Sequence, residues 1–386
     1  MSALYDETLC LCALNKIFGY CPSTGQALVN VIGSASGVFE LNSSELGQIL
    51  AGHPNYLAQI NKQLLDDTSE ELENIQKKGL TFIGNNDENF PDLLRECNDC
   101  PLGLYIRSHD QPENIFREVP YIAVVGTRDL SSYGQEWCRR IVGALASCNE
   151  KPVIVSGLAL GTDIIAHMTA LECGLPTIAV LPTGIDNIYP GRHRSQASKI
   201  ISTPHSALIT DYPPGTLPMA HTFLRRNRII AGLSRSIILT ESKTKGGGLL
   251  TCELGFSYGR DIFALPGRAD DLKSQGCNLL IKREIAEPIF DENSLLKSLG
   301  LSGQFKPKEI RIGDNYKGKL SDEEINKAAK IILEIKRGKG ISIDELCRKL
   351  NMNYSETASL TAMLEADGFI ICDLFQRYII NVNRKC

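Results

Sequence analysis

The sequence predicts an α/β fold: a doubly wound, mostly parallel sheet, preceded by a helical segment and followed by a small mixed domain. Three observations predict it. Between residues 121 and about 290, short continuous apolar runs alternate with stretches of helical length, the pattern of parallel strands covered on both faces. Residues 1–75 carry apolar side chains at helical spacing. Residues 321–386 read as three helices and then two strands around a turn. With 386 residues, 43% hydrophobic and 22% charged, the chain has the size of two or three domains and an ordinary globular composition.

Taken in order, Leu9, Leu11, Leu14 and Phe18 open an N-terminal helical domain over 1–75, with two more short helices at Thr24–Val31 and Glu45–Leu50. A helix-hairpin-helix or SAM-like module is the expectation. Lys16 is its main positive charge in the first helices, so a structural or protein-contact role is favoured over DNA gripping. Leu80-Thr-Phe-Ile-Gly84 and Gly103-Leu-Tyr-Ile-Arg107 read as strands added to the edge of the main sheet. Tyr121–Val125, Pro152–Val155, Thr177–Leu181, Ala207–Thr210, Arg235–Thr240 and Asp261–Leu265 are the buried strands. Helices are expected at Tyr133–Ser147, Asp163–Cys173 and Cys252–Tyr258. Together 80–290 form a Rossmann-like domain, in which ligands bind at the carboxyl ends of the strands. Residues 291–320, with Lys306, Pro307, Lys308, Gly313 and Asp314, read as a linker. In 321–386, Ser321 and Glu324 suit a capping box, and three helices before a β-hairpin are the order of a winged helix. Its third helix, Ser355–Asp367, has no Lys or Arg but carries Glu356, Glu365 and Asp367, so a protein contact is expected there rather than duplex DNA.

The net charge is −4 and the pI about 6.0. A protein covered with phosphate-binding groups would be basic, so any nucleic-acid site must concentrate its positive charge locally. The 13 cysteines are odd in number and scattered. With no basic-then-apolar leader pattern at the N-terminus and no bilayer-length apolar run, a cytoplasmic chain with free thiols and no membrane partner is expected. Cys97-Asn-Asp-Cys100 lacks a second ligand pair at zinc spacing, and no metal or other cofactor is expected.

Three strand ends run into small, donor-rich turns: Gly126-Thr127-Arg128, Ser156-Gly157 through Gly161-Thr162-Asp163, and Lys245-Gly246-Gly247-Gly248. Glycine lets backbone N–H groups approach an oxyanion, and a helix N-terminus adds a positive dipole. One such turn alone is as well explained by tight strand-to-helix packing. Three at one sheet edge, with Arg128 and Lys245 attached, favour an anion site. The densest positive cluster is Phe223-Leu224-Arg225-Arg226-Asn227-Arg228. Three arginines in four residues are expected to line a solvent-facing trough. With the Phe223 ring as a stacking platform, they suit single-stranded nucleic acid of any sequence. GxSxG, HExxH, P-loop and GxGxxG patterns are absent, so no catalytic residue is expected. Asp163 and His167 lie one helical turn apart, but a helix cap and a packed histidine account for them better than an acid–base pair. The alternative reading is an enzyme or sensor acting on a nucleotide or nucleoside phosphate at the same sheet edge.

The residues resemble the DNA-processing protein A family, also called DprA or Smf. The shared signatures occur in order: Val124-Val-Gly-Thr-Arg128, Ser156-Gly-Leu-Ala-Leu-Gly-Thr-Asp163 with Ala166-His167, Thr177–Leu181, Asp186 with Tyr189-Pro190, Asp211-Tyr-Pro213, Phe223–Leu233, Gly247-Gly-Leu-Leu-Thr251, Gly259-Arg260, Phe263-Ala-Leu-Pro-Gly267 and Gly276–Ile281. The resemblance implies sequence-independent binding and protection of single-stranded DNA entering in natural transformation, loading of the RecA recombinase, a homodimer, and no nucleotide cofactor. It implies DNA contacts from Gly126, Thr127, Arg128, Ser156, Gly157, Phe223, Arg226, Asn227, Arg228 and Gly247. Gly161, Arg225, Lys245 and Gly248 join them from the reading of the turns and the cluster. The chain departs from the family pattern at Leu160, where an arginine is usual, at His193, where an asparagine is usual and Arg192 or Arg194 stand beside it, and at Gly247, where a serine is usual.

Overall fold

The computed structural model describes residues 5–50, 54–302, 316, 318–337, 340–373 and 376–380. The chain divides into two compact units, 1–305 and 306–386.

In the first unit a nine-stranded sheet, counted among the described residues, runs in the order β1-β2-β6-β5-β4-β3-β7-β8-β9. The strands are β1 (Leu80–Gly84), β2 (Gly103–Arg107), β3 (Tyr121–Val125), β4 (Val153–Ser156), β5 (Thr177–Val180), β6 (Ala207–Thr210), β7 (Ser236–Leu239), β8 (Asp261–Ala264) and β9 (Glu287–Pro288). β6 through β9 are parallel neighbours. β2 joins β6 antiparallel and β1 joins β2 antiparallel, so the two early strands extend one edge, as expected. β9 is a short addition at the other edge.

The strands read as unbroken apolar runs because both faces are covered. Along β3, Ala123 and Val125 enter one core while Ile122 and Val124 enter the other; Val155 and Ile154 on β4, and Ile237 and Ile238 on β7, divide in the same way. This period of two is the pleat. The helices Ala220–Leu233 and Gly247–Ser257 cover the first face, through Ile229, Ile230, Leu249 and Cys252. The helices Ser132–Ala146 and Thr162–Glu172 cover the second, through Ile141, Leu145, Ala166 and Ala170.

Two boundaries differ from expectation. The N-terminal helices do not stand apart from the sheet. The helix Glu7–Phe18 packs on β1 and on the helix Lys62–Lys77. The Tyr105 hydroxyl on β2 donates to Glu71 at 3.0 Å and lies 3.3 Å from Cys12 Sγ, while Asn15 Nδ2 donates to the Asp211 carbonyl at 2.7 Å. At the other end, the stretch assigned to a linker from 291 begins with the helix Glu292–Ser298. Leu295, Leu296 and Leu299 are buried in the second core, and Glu292 holds Arg140 Nε at 2.5 Å. Burial of three leucines overrides the polar composition that suggested a linker. The remaining linker residues 303–315 and 317 lie outside the described residues.

The second unit contains the helix Asp322–Arg337, β10 (Ile341–Ser342), the helices Ile343–Leu350 and Tyr354–Ala366, β11 (Ile370–Cys372) and β12 (Arg377–Ile380). Its antiparallel sheet has the order β10-β12-β11. Ile331, Leu346, Leu360, Leu364 and Ile370 are its core. Ser321 and Glu324 form the expected reciprocal cap. Glu356 on the acidic last helix is held by Lys327 at 2.7 Å. No described helix is long and apolar enough to cross a membrane, and no disulfide forms among the described residues.

His167 reports on the interior. It is fully buried, and Nδ1 lies 2.7 Å from Thr177 Oγ1, which itself donates to the Ile154 carbonyl. Nδ1 therefore carries the hydrogen. Burial, helped by the nearby Arg226 charge, lowers the His167 pKa to about 3. The unfolded chain takes up this proton near pH 6.5, so the contribution to stability is whole above that pH and is lost as pH falls toward 3, by about 1.4 kcal/mol per pH unit. Urea unfolding of the wild type between pH 6.5 and 4 should show this slope, and His167→Gln should flatten it by one proton.

Candidate nucleic-acid interface

The sheet reverses direction at β3. The chain leaves β3 for β4 on one side and returns as β7 on the other, so the loops after β3 and β7 part over a crevice at their carboxyl ends. The three predicted turns meet there. Gly126 and Gly248 touch: a Cβ on Gly248 would lie 2.9 Å from Gly126 Cα. The Thr127 carbonyl accepts from the Thr162 amide at 3.2 Å, joining the first turn to the second. Gly161 has φ +74° and sits against the Thr127 carbonyl, where any side chain would clash with backbone.

The turns differ in what remains open. In the second, the Asp163 carboxylate accepts from the Gly157 and Ala159 amides at 3.1 and 3.3 Å. Asp163 lies inside the first turn of its helix, whose N-cap is Gly161, so the expected cap role is replaced by a brace on the loop before it. Burial pushes its carboxyl pKa up, against the pull of Arg226 and of these amides. The Ser156 hydroxyl is buried and donates to the Val124 carbonyl at 2.7 Å. Beside the first turn, the buried Glu241 carboxylate accepts from the Ser131 amide at 2.9 Å and from the Ser131 hydroxyl, engaging the start of the helix Ser132–Ala146. The third turn has no such plug. The helix Gly247–Ser257 starts at Gly247, five residues earlier than expected, and no side chain caps it. Gly247 is exposed, as are Lys243 and Lys245 just before it.

The arginine cluster is the main correction. Arg226 and Arg228 are 4% and 5% exposed and do not line a trough. Arg226 Nη1 donates to the Gly157 carbonyl at 2.7 Å and to the Val180 carbonyl, bridging the ends of β4 and β5. Its guanidinium fills the space a Cβ on Gly157 would need. Burial lowers its pKa to about 10, so it stays cationic. Arg228 pairs with Asp211, which is buried with it, and donates to the Asp99 carbonyl at 2.6 Å. Each cation finds buried acceptors, which is why arginines can face a core. Asn227 is also buried, 3.4 Å from the Gly247 carbonyl through Nδ2.

Other predicted residues stay at the surface. Arg128 is exposed, with its guanidinium carbon 4.9 Å from the centroid of the half-buried Phe223 ring. Arg225 is half-buried, 5.3 Å from the centre of the Tyr20 ring. Tyr189 meets Phe223 edge-on at 5.4 Å and is exposed. Sequence reasoning quoted Tyr189 only as a family signature and missed Tyr20, which has no local signal. At the departures from the family pattern, Leu160 is half-buried and Arg192 and Arg194 are exposed. His193 is buried, with Nδ1 2.8 Å from the Leu158 carbonyl. Among the described residues, no three His, Cys, Asp or Glu side chains gather to hold a metal.

Arg228→Ala should leave Asp211 buried without its partner and destabilise the fold by about 3–5 kcal/mol, read as a lower urea midpoint. An unfolding free energy within about 0.5 kcal/mol of wild type would contradict the burial assigned to this pair.

A family model described as DNA recombination-mediator protein A matches residues 81–300. Protein Smf of Synechocystis sp. is 37% identical over 257 residues, which are 66% of this chain and 63% of that protein. DNA processing protein DprA of Streptococcus pneumoniae is 40% identical over 196 residues, 51% of this chain and 66% of that protein. A putative DNA processing protein DprA of Mycobacterium tuberculosis is 29% identical over 360 residues, covering 90% of this chain and 87% of its own length. The matches to the first two thus span just under two thirds of those proteins. The crystal structure of DprA from Streptococcus pneumoniae aligns with a TM-score of 0.58 and 32% identity, over 69% of this chain and 88% of that one. DNA processing protein A from Helicobacter pylori, described for its single-stranded DNA binding mode, aligns with a TM-score of 0.50 and 29% identity, over 57% and 95%. These matches cover the sheet and the turns at its rim, and the chain belongs to the DNA recombination-mediator protein A family, whose members include proteins named DprA and Smf.

Proposed function

We propose that this chain binds single-stranded DNA without sequence preference along the carboxyl rim of its parallel sheet, as part of DNA processing in recombination. The observation that carries the reading is the Arg128–Phe223 pair beside an uncapped helix start. A guanidinium lies 4.9 Å from a partly open ring, on the turn whose Gly126 touches Gly248 at the start of the uncapped helix, where Gly247 and Lys245 are exposed. A base stacks on the ring and phosphates meet Arg128, Lys245 and the helix dipole. Thr127, Gly126 and Gly248 shape the floor. Gly157, Ser156 and Gly161 support it from beneath, with Arg226, Asn227 and Arg228 holding the helix that presents Phe223. The Helicobacter pylori relative is described for its single-stranded DNA binding mode, which supports the same class of ligand.

The finer reading is that the chain protects DNA entering in natural transformation, passes it to the RecA recombinase, and works as a cytoplasmic homodimer without a catalytic step. We place the DNA-processing domain from 80 through the helix Glu292–Ser298, with the N-terminal helices of 1–75 packed on its sheet edge. A winged-helix module at 321–386 serves protein contact, since its last helix presents Glu365 and Asp367 rather than cations. A nucleotide-acting enzyme would need a positioned carboxylate at the rim, and those buried there are engaged, Asp163 and Glu241 by backbone amides and Asp211 by Arg228.

Fluorescence anisotropy with labelled oligothymidine at rising salt tests this. Affinity should fall with salt, Phe223→Ala should cost about 1–3 kcal/mol, and Arg128→Ala should reduce the salt slope by about one phosphate contact. Indifference to the oligonucleotide, with a thermal shift on adding a mononucleotide, would overturn the reading in favour of the nucleotide-acting one.

A further inference from the structure

We infer that the single-stranded DNA path continues from Phe223 onto the N-terminal helices, where the Tyr20 ring, with Arg225 and His221, forms a second stacking step for a base further along the strand. The inference rests on the function proposed above and extends its site to a part of the chain that function does not use.

Four observations carry it. First, the arginines of the Ala220–Leu233 helix are of two kinds. Arg226 and Arg228 are bonded to buried acceptors, whereas Arg225 makes no hydrogen bond or ion pair to protein among the described residues. Second, Arg225 repeats the arrangement of Arg128. Its guanidinium carbon lies 5.3 Å from the Tyr20 centroid, as that of Arg128 lies 4.9 Å from the Phe223 centroid. In each pair a cation rests on a ring that stays partly open; Arg128 is exposed, and Arg225 is half-buried with its Nε enclosed. Third, Tyr20 is 43% exposed, although it borders the exposed His221 ring at 5.4 Å and the buried Tyr212 ring at 6.0 Å. Fourth, Phe223 and Arg225 lie two positions apart in the first turns of one helix, so they diverge to either side of it. Leu224 between them is 53% exposed.

A cation–π contact that only fastened the N-terminal helices to the sheet would be redundant. They are already held by Asn15 on the Asp211 carbonyl, by the Tyr105 hydroxyl on Glu71 at 3.0 Å, and by Cys12, which is buried against Phe82 and Tyr105. The Asn15 bond also sets where Tyr20 stands, because Asp211 follows β6 at the carboxyl rim. An exposed ring carrying a guanidinium that has no hydrogen-bond partner among the described residues, fixed at that rim, suits a flat ligand with a phosphate beside it.

The test measures oligothymidine binding to the full chain at two lengths, about six nucleotides and about sixteen. Tyr20→Ala and Arg225→Ala should weaken the longer oligonucleotide about tenfold and leave the shorter within about twofold, while Tyr20→Phe binds as the wild type. Trp137 is the only tryptophan in the chain, so Tyr20→Trp combined with Trp137→Phe places a single reporter in the step. Its emission should be quenched by the longer oligonucleotide and not by the shorter. Loss of both lengths in Phe223→Ala, with Tyr20→Ala binding both as tightly as wild type, overturns the second step and leaves the first. Equal loss at both lengths in Tyr20→Ala, with no quenching of the reporter, also overturns it and assigns Tyr20 to the fold. Full affinity in Phe223→Ala and Arg128→Ala would overturn the underlying site itself.

Discussion

The guanidinium of Arg226 lies under the carboxyl rim of the sheet, and the site depends on where it lies. It binds the carbonyls that end β4 and β5, and it takes the place of a side chain at Gly157. A buried cation persists only where acceptors surround it, so this contact ties the helix Ala220–Leu233 to the strand ends from within. Arg228 and Asp211 repeat the device two residues on, at the end of β6. Together they place Phe223 and Arg225 at the surface in set positions on the first turns of the same helix. Positive charge in the cluster is therefore divided between a structural pair inside and working groups outside.

Carboxylates divide the rim in the same way. Asp163 occupies the Gly157 and Ala159 amides of one turn, which are closed to an external anion, and Glu241 takes the Ser131 amide at the start of another helix. The Gly247 helix start, uncapped and flanked by Lys243 and Lys245, remains open. A glycine-rich strand end is thus only a potential anion site. Whether it is an actual one depends on what the protein's own side chains already offer its amides. The close approach of Gly126 and Gly248 brings the open turn against the first one and sets Arg128 beside it.

An acidic chain with one local cationic strip has a further consequence. With a net charge of −4, non-specific attraction to nucleic acid is weak away from the rim, so binding depends on the few unengaged cations and the rings beneath them. In the proposed site, stacking on Phe223 would supply affinity that salt does not screen, and Arg128 and Lys245 the part that it does.

By itself the sequence determined the sheet, its winding, and the three turns at its rim. Continuous apolar runs of four or five residues separated by helical stretches have few other solutions, and the order of the signatures from Val124 to Ile281 identifies the family. It did not determine which charges are buried. Arg225, Arg226 and Arg228 are alike in sequence, and only the carbonyls of Gly157, Val180 and Asp99 and the carboxylate of Asp211, from distant parts of the chain, draw two of them inward. The same holds for Tyr20, whose place at the rim follows from an Asn15 bond spanning nearly two hundred residues, and for Glu292–Ser298, whose leucines find a core no local pattern announces. Periodicity is a local property and is written along the chain; the partner of a buried charge is a long-range one, and it exists only once the strands are side by side.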